Sequence, residues 1–308
     1  MRSHHHLLAA LAAATAFLQA GCAARTAEPP TAAVAASPPA LMKWPDLLTR
    51  PRPEPTVAIR YGSDPLQVSD LWLPRGRGPH PVVLMVHGGC WQTDIADRTI
   101  MNWIADDLRK RGIAVWNIDY RGVDRTGGGY PGTFLDAAAA ADALRAHAPR
   151  YKLDLSRLTA VGHSAGGHLA LWLAARPRLP RSSVLRSASP LPIRTVVSLG
   201  GLPDLEEAAR PPGSGCGTEV IGKISGARYD ETSVPRLAPI GVRQVLVNGL
   251  QDRIIPTSYA SGYAAAMRAS GDDVTVRMIE RTGHVELVAP ESRAWRVAVE
   301  EIRKSLRR

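Results

Sequence analysis

A serine lies in the sequence Gly162-His163-Ser164-Ala165-Gly166, between an apolar run of strand character and an apolar run of helical character. This G-x-S-x-G pattern constrains the fold more than any other feature of the chain. A serine at such a junction occupies a sharp turn, and the flanking glycines remove side chains that would clash across it. The N-terminus of the following helix favours negative charge near the serine. We therefore predict that Ser164 is a nucleophile at the end of a buried strand.

Apolar runs of strand length alternate with runs of helical character along the rest of the chain. The predicted strands cover residues 57–61, 67–73, 82–86, 113–118, 158–162, 196–199, 245–248 and 274–279, and the predicted helices cover 96–110, 133–146, 165–175, 259–269 and 292–306. This alternation predicts a mostly parallel sheet with helices on both faces. Such sheets carry their ligand sites at the carboxyl ends of the strands.

Composition excludes several other classes of protein. The chain has 308 residues, of which 45% are hydrophobic, so it can bury a large core. Its net charge is +10, and five of its 38 basic residues are lysine, which leaves 33 arginines. These arginines are spread along the chain and form no basic stripe with interleaved aromatic residues. The sequence therefore predicts no nucleic-acid partner.

The N-terminus has the pattern of an export signal. Residues 1–22 combine a polar start, an apolar stretch and small residues before Cys22, which is typical of a secretory leader. The stretch before Cys22 resembles a bacterial lipobox, although Gln19 stands where leucine is usual. We expect an exported protein, either free in the periplasm or tethered to a membrane through a lipidated Cys22. Residues 23–55 are predicted to be an Ala/Pro-rich linker, and residues 56–308 the catalytic domain.

A glycine-rich sequence, H-G-G-C-W, begins at His87 directly after a predicted strand. Adjacent glycines allow backbone amides to approach a substrate oxygen closely, and the residue after the nucleophile supplies a second donor. We predict an oxyanion hole formed by Gly88, Gly89 or the Cys90 amide together with Ala165. His87 itself is interpreted as a structural residue that shapes this loop.

The general base and its acid partner should follow the serine in the order serine, acid, histidine. Only His168 and His284 lie beyond Ser164, and His168 follows no acid that could orient it. His284 comes directly after a predicted strand, and Asp252 ends the strand before it. Asp204, one strand earlier, is the competing acid. We predict a triad of Ser164, His284 and Asp252.

These motifs together resemble the α/β-hydrolase superfamily. Within it, the chain is similar to the feruloyl/acetyl-esterase-like and kynurenine-formamidase-like groups, which combine H-G-G-x-W with G-H-S-A-G-G-H. The resemblance extends from about Pro81 to the C-terminus. It implies the α/β-hydrolase fold with a small cap segment, and residues 203–241 are the expected cap. Cys90 departs from the pattern, because glycine or tyrosine is common at its position in relatives.

The resemblance implies a serine hydrolase that cleaves carboxylic esters of small or soluble acyl substrates through an acyl-serine intermediate. It requires no metal and no organic cofactor. Two alternatives remain: an amide hydrolase similar to kynurenine formamidase, and a catalytically silent binding protein with this fold. Trp91, Tyr130 and Trp172 are candidate aromatic residues near the site, although Trp172 fits the core better.

Two cysteines remain after Cys22. Cys216 lies in the expected cap segment. Cys90 lies in the H-G-G-C-W sequence, residues 87–91, which we call the oxyanion loop. Because an oxidising periplasm favours disulfides, we expect these two residues to be joined, which would hold the cap segment beside the oxyanion loop. Two buried thiols are the alternative.

Overall fold

The computed structural model describes residues 40–307, and an eight-stranded sheet forms their centre. The strands are β1 (Val57–Arg60), β2 (Val68–Trp72), β3 (His80–Val86), β4 (Ala114–Ile118), β5 (Leu153–His163), β6 (Thr195–Leu199), β7 (Arg243–Gly249) and β8 (Val274–Ile279). Their order across the sheet is β1-β2-β4-β3-β5-β6-β7-β8. Only β2 runs opposite to the other strands. The mostly parallel sheet of an α/β-hydrolase fold is thus confirmed.

The helices of the described residues follow the predicted alternation. They are α1 (Trp44–Leu48), α2 (Asn102–Lys110), α3 (Gly132–Tyr151), α4 (Ala165–Ala175), α5 (Leu205–Ala208), α6 (Thr218–Ser225), α7 (Tyr229–Thr232), α8 (Thr257–Ala269) and α9 (Arg293–Ser305). Short 3-10 turns occupy Arg98–Met101, Arg176–Arg178, Val234–Leu237 and Glu286–Val288. Within residues 40–307, no helix combines the length and the apolar character needed to cross a bilayer.

Apolar side chains alternate between the two faces of the sheet, as the period of a strand requires. On β3, Leu84 and Val86 belong to the core layer that also contains residues of α3, α4 and α8. Val83 and Met85 belong to the opposite layer, with residues of α2 and α9. Both faces of the central strands are therefore buried, which explains why these strands appear in the sequence as continuous apolar runs.

The carboxyl ends of neighbouring parallel strands place the predicted catalytic residues together. Ser164 follows β5 directly, Asp252 follows β7, and His284 follows β8. Strands β5, β6, β7 and β8 are successive neighbours in the sheet. The three side chains therefore reach the same end of the sheet although 120 residues separate Ser164 from His284.

The folded unit begins earlier than predicted. Residues 41–53, which we call the N-terminal strap, lie within the expected linker but pack on the domain. Leu47 of α1 is fully buried in the core layer of α2 and α9. The Met42 amide donates a hydrogen bond of 2.5 Å to Glu286. Helix α1, a short amphipathic segment, was not predicted because it lies in a stretch of Ala/Pro-rich composition. The predicted leader, the linker up to residue 39 and Cys22 lie outside the described residues.

Helix α9 is fixed to the two strands that lead to Asp252 and His284. The carboxylate of Glu301 lies 2.7 Å from the guanidinium of Arg243 on β7 and 3.0 Å from that of Arg277 on β8. Lys304 is a third partner, at 3.2 Å. Burial alone would raise the pKa of Glu301, but the hydrogen bonds from these three cations outweigh it and lower the pKa from 4.5 to about 2.

We expect Glu301→Gln to lower the free energy of unfolding at neutral pH by about 2 kcal/mol. The lowered pKa of Glu301 sets an upper limit of ~3 kcal/mol on this loss. Because the folded pKa is depressed, this contribution is present above pH 4.5 and is lost as the pH falls toward 2. Urea denaturation of both proteins across this range should show the difference shrinking with falling pH. Glu300→Gln, on the exposed face of α9, is the matched control. A pH-independent difference would contradict the ionic origin.

Candidate active site

Ser164 occupies a strained turn between β5 and α4. Its backbone angles are φ 54° and ψ −122°, a conformation that costs a non-glycine residue about 1–3 kcal/mol. The Ser164 amide donates to the Leu199 carbonyl at 2.8 Å, which fixes the turn to β6. A Cβ on Gly162 would lie 2.0 Å from the Gly166 carbonyl oxygen, and one on Gly166 would lie 2.2 Å from that of Val86. The two glycines of the motif are therefore required sterically.

Asp252 and His284 form a buried hydrogen-bonded pair. The distance from His284 Nδ1 to Asp252 Oδ2 is 2.7 Å. The other carboxylate oxygen accepts hydrogen bonds from the Ile254 and Ile255 amides at 2.8 and 3.0 Å. Because an ionised carboxylate can only accept, Nδ1 is assigned as the donor of this hydrogen bond, which leaves Nε2 as the ring nitrogen that can accept a proton.

Ser164 and His284 line one cavity of about 380 Å³. Its lining comes from the strap, the oxyanion loop, the serine turn and the loops after β7 and β8: Trp44, Leu48, Gly89, Cys90, Ile95, Ala96, Ile100, His163, Ser164, Gly215, Ile254 and His284. The structure thus brings together the predicted nucleophile, the predicted base and two predicted oxyanion residues. Asp252 lies behind His284 and holds its ring.

His163 occupies the first x position of the G-x-S-x-G motif, directly before Ser164. Its ring packs against the predicted base, His284. Its ring centroid lies 4.4 Å from that of His284, and its Nε2 lies 3.2 Å from the His284 carbonyl oxygen. Burial is the main reason why the pKa of His163 falls well below 6.5, and the neighbouring His284 lowers it further. His163 is therefore neutral near pH 7, and its Nε2–H donates a hydrogen bond to the carbonyl oxygen of His284.

The predicted oxyanion loop approaches Ser164 closely. A Cβ on Gly88 would lie 2.7 Å from His163 Nδ1 and 3.0 Å from Ser164 Cβ. Gly89 and Cys90 have φ values of 106° and 52°, so the chain turns sharply there. Within residues 40–307, the amides of Gly88, Gly89, Cys90 and Ala165 have no backbone acceptor. The predicted oxyanion donors therefore make no backbone hydrogen bond that would compete with a substrate oxygen.

His87 supports this loop from behind and does not line the cavity. Its Nδ1 lies 2.6 Å from the Gly88 carbonyl oxygen, and its Nε2 lies 3.0 Å from Asp119. Burial would raise the pKa of Asp119, but its bonds to His87 and Arg98 outweigh burial and lower that pKa below 3.8. An ionised carboxylate thus orients His87, consistent with the structural role expected for this histidine.

Cys90 and Cys216 are joined by a disulfide whose Cα atoms are 5.3 Å apart. Beside it, the Gly215 amide donates to the Ile254 carbonyl at 2.9 Å. The short segment at Gly215 and Cys216 therefore connects the oxyanion loop to the loop that carries Asp252.

The expected cap contributes less to the cavity than predicted. Of residues 203–241, only Gly215 lines it. The helices of this segment instead bury apolar residues in the core layer of α3 and α4, among them Leu205, Ile221, Ile224 and Val234. These buried side chains anchor the segment to the core of the domain, although many of its other residues are exposed.

The predicted aromatic residues also do not line the cavity. Trp91 and Trp172 are fully buried, and the Tyr130 hydroxyl donates to Glu231 at 2.8 Å. Trp44 takes this place, and sequence reasoning missed it because it lies in the expected linker. The sequence W-P-D-L-L was the available signal, since a proline and an acid in the first turn favour a helix start.

The two competing candidates occupy structural positions. The Asp204 carboxylate caps the N-terminus of α5, accepting from the Glu207 amide at 3.1 Å, and binds the Ser233 hydroxyl at 2.9 Å. His168 Nε2 lies 2.8 Å from the Thr232 carbonyl oxygen, and burial lowers the pKa of His168 to about 4. Neither residue lines the cavity. In the described part of the chain, no three His, Cys, Asp or Glu side chains are placed to hold a metal ion.

The BD-FAE family model matches residues 69–233, more than half of the chain, so this protein belongs to the BD-FAE family. A search of curated proteins gives no match. The family match covers the oxyanion loop and Ser164, and ends before Asp252 and His284.

Three solved structures illustrate the likeness of fold. Esterase B from Lactobacillus rhamnosis (HN001) has a TM-score of 0.69 at 20% identity, covering 83% of this chain and 87% of that one. A truncated carbohydrate esterase from gut microbiota has a TM-score of 0.65 at 18% identity, with coverages of 82% and 97%. Thermogutta terrifontis esterase 2 phosphonylated by sarin has a TM-score of 0.66 at 17% identity, with coverages of 85% and 98%. At these identities the likeness establishes the fold.

We expect reduction of the Cys90–Cys216 disulfide to destabilise the protein by about 2–4 kcal/mol, because the bridge closes a long loop of the unfolded chain. The two cysteines are 126 residues apart. Thermal unfolding with and without reductant measures the effect, and the double variant Cys90→Ser/Cys216→Ser should be insensitive to reductant. Labelling of both thiols in denatured, unreduced protein would show that the bridge does not form.

Proposed function

We propose that this protein is a serine hydrolase that cleaves carboxylic esters of small or soluble acyl substrates. One observation carries the proposal: a hydrogen bond of 2.7 Å joins Asp252 to His284, and His284 shares a cavity with the strained Ser164. A serine hydroxyl is a weak nucleophile at neutral pH, and it needs an oriented imidazole to accept its proton. The arrangement supplies such a ring.

In the first step Ser164 Oγ attacks the ester carbonyl carbon while His284 Nε2 accepts the hydroxyl proton. Asp252 keeps the proton on Nδ1 and stabilises the imidazolium that forms. The Ala165 amide and the Gly88, Gly89 or Cys90 amide donate hydrogen bonds to the carbonyl oxygen as it becomes negatively charged. Removing one such donor typically costs about 3 kcal/mol of transition-state stabilisation.

The imidazolium then protonates the leaving alcohol, and the acyl group remains on Ser164. Water, deprotonated by His284, attacks this acyl-serine and releases the acid. His163 contributes by its neutrality. A second positive charge 4.4 Å from the His284 ring would oppose formation of the imidazolium. Burial keeps His163 uncharged through the cycle.

The size and chemistry of the cavity favour small esters. Its volume of about 380 Å³ lies near the lower end of the range of small-molecule sites, about 300–1,000 Å³. Structurally similar proteins are a carbohydrate esterase and Thermogutta terrifontis esterase 2, which has been solved both with butyrate bound and phosphonylated by sarin. The esterase activity of these proteins and the phosphonylation of one of them support ester hydrolysis through an activated nucleophile.

We expect Ser164→Ala to abolish both ester hydrolysis and labelling by a fluorophosphonate probe. Asp252→Asn should lower kcat by about 10³–10⁴-fold with little change in KM, because the imidazole loses the partner that holds its tautomer. Steady-state kinetics on acetyl, butyryl, feruloyl and N-formyl substrates, with labelling measured in parallel, provide both readouts.

Asp204→Asn is the matched control for Asp252→Asn, because Asp204 is the competing acid that caps α5. It should retain kcat, since asparagine also caps helices well. Equal losses in the two variants would argue against the assignment of Asp252. Folded wild-type protein that neither hydrolyses these substrates nor reacts with the probe would identify a silent binding protein.

We also propose that the protein is exported and anchored to a membrane through lipidated Cys22. The leader pattern of residues 1–22 supports export. The Cys90–Cys216 disulfide is consistent with an oxidising compartment. In a bacterial host, the protein should fractionate with membranes, and Cys22→Ser should release it to the periplasm or block its processing. Cytoplasmic protein with an intact N-terminus would contradict export, and soluble wild-type periplasmic protein would contradict the anchor.

A further inference from the structure

The N-terminal strap lies against the side of the active site where His284 is held. The Met42 amide and the Gly283 amide bind the two carboxylate oxygens of Glu286, at 2.5 and 2.9 Å. One glutamate thus ties the strap to the residue directly before His284. A Cβ on Gly283 would lie 3.7 Å from Leu41, which shows how closely the strap approaches.

The rest of the strap is fixed along α2 and the loop before α9. Arg50 forms an ion pair of 2.6 Å with Glu291, and the Pro51 carbonyl accepts from the Trp103 indole at 3.2 Å. Leu47 of α1 is fully buried between these contacts. The contacts at both ends of the strap therefore hold α1 in one position. Trp44, the first residue of α1, is placed accordingly.

The Trp44 indole stands edge-on to both histidines of the site. Its ring centroid lies 6.5 Å from that of His284, at an interplanar angle of 78°, and 6.0 Å from that of His163. It lines the cavity together with Leu48. Because His284 hands its proton to the leaving oxygen, the wall beside His284 is the wall that the leaving alcohol faces.

The cavity wall contains no permanently charged side chain among the described residues. Leu48, Ile95 and Ile254 remain 39%, 60% and 39% exposed around the opening, so the rim is apolar as well. Large apolar groups left exposed around a cavity with few polar groups are typical of ligand sites. The apolar wall beside His284 is therefore suited to an apolar group on the alcohol portion of the ester.

We propose that Trp44 is a specificity-determining residue that selects esters with an apolar, preferably aromatic, alcohol group. This inference rests on the proposed esterase function. The indole contributes a flat apolar surface, and aromatic rings pack on it edge-on or offset. Trp44 lies in the strap, outside residues 69–233, which match the family model.

The test compares Trp44→Ala with the wild-type full-length protein on three esters. Ethyl acetate and benzyl acetate differ only in the alcohol, and ethyl acetate and ethyl butyrate differ only in the acyl group. Trp44→Ala should lower the benzyl-to-ethyl ratio of kcat/KM by about tenfold, mainly through KM, because ring packing and burial are lost. The butyrate-to-acetate ratio should change less than about twofold. Fluorophosphonate titration gives the concentration of active sites in each preparation.

Two further variants complete the design. Trp44→Phe should recover most of the benzyl preference, because a phenyl ring restores the apolar surface. Leu135→Ala, at a leucine 43% exposed on α3 that does not line the cavity, should leave both ratios unchanged. An unchanged benzyl-to-ethyl ratio in active Trp44→Ala would overturn the role of Trp44, as would a fall in the butyrate ratio instead. Wild-type protein that hydrolyses none of the three esters would overturn the proposed function itself.

Discussion

The hydrogen bond between Asp252 and His284 is the interaction on which the site depends, and it is a consequence of the sheet. Strands β7 and β8 are parallel neighbours in register from Gln244 with Val274 to Gly249 with Ile279. The loops that follow them therefore leave from the same end of the sheet. A shift of register would move the two loops apart and leave a carboxylate buried without its partner, which is costly.

The same end of the sheet holds Ser164 in its strained turn. Such a conformation persists only where surrounding structure over-determines it. Here the Ser164 amide is bound to β6, and a Cβ on Gly166 would lie 2.2 Å from the carbonyl oxygen of Val86 and 2.3 Å from that of His87, where β3 leads into the predicted oxyanion loop. The turn at Ser164 and the predicted oxyanion loop therefore hold each other in place. Their close contact explains why glycine is needed in both segments.

These parts of the site could be predicted because their signals are local. The strands before Ser164 and His284 are apolar runs of the right length, and the chain order of serine, acid and histidine left His284 as the base and Asp252 or Asp204 as the acid. Asp204 could be set aside on its distance from the strand before His284, and the structure gives it a role as a helix cap. In each case the residues that decide the structure lie within a few positions of the functional residue.

The walls of the cavity were harder to predict, because contacts between residues far apart in the sequence position them. The strap that carries Trp44 is held by a hydrogen bond from the Met42 amide to Glu286, 244 residues later, and by one from Trp103 of α2 to the Pro51 carbonyl. A helix of five residues has no periodicity to detect. Likewise, Gly215 is held at the cavity by its hydrogen bond to Ile254 and by the disulfide of the adjacent Cys216 with Cys90. The chemical groups are thus carried by strand ends, which a rigid sheet positions, whereas the walls are carried by segments held through long-range contacts. Such segments can change without disturbing the sheet, so substrate preference can vary while the triad stays in place.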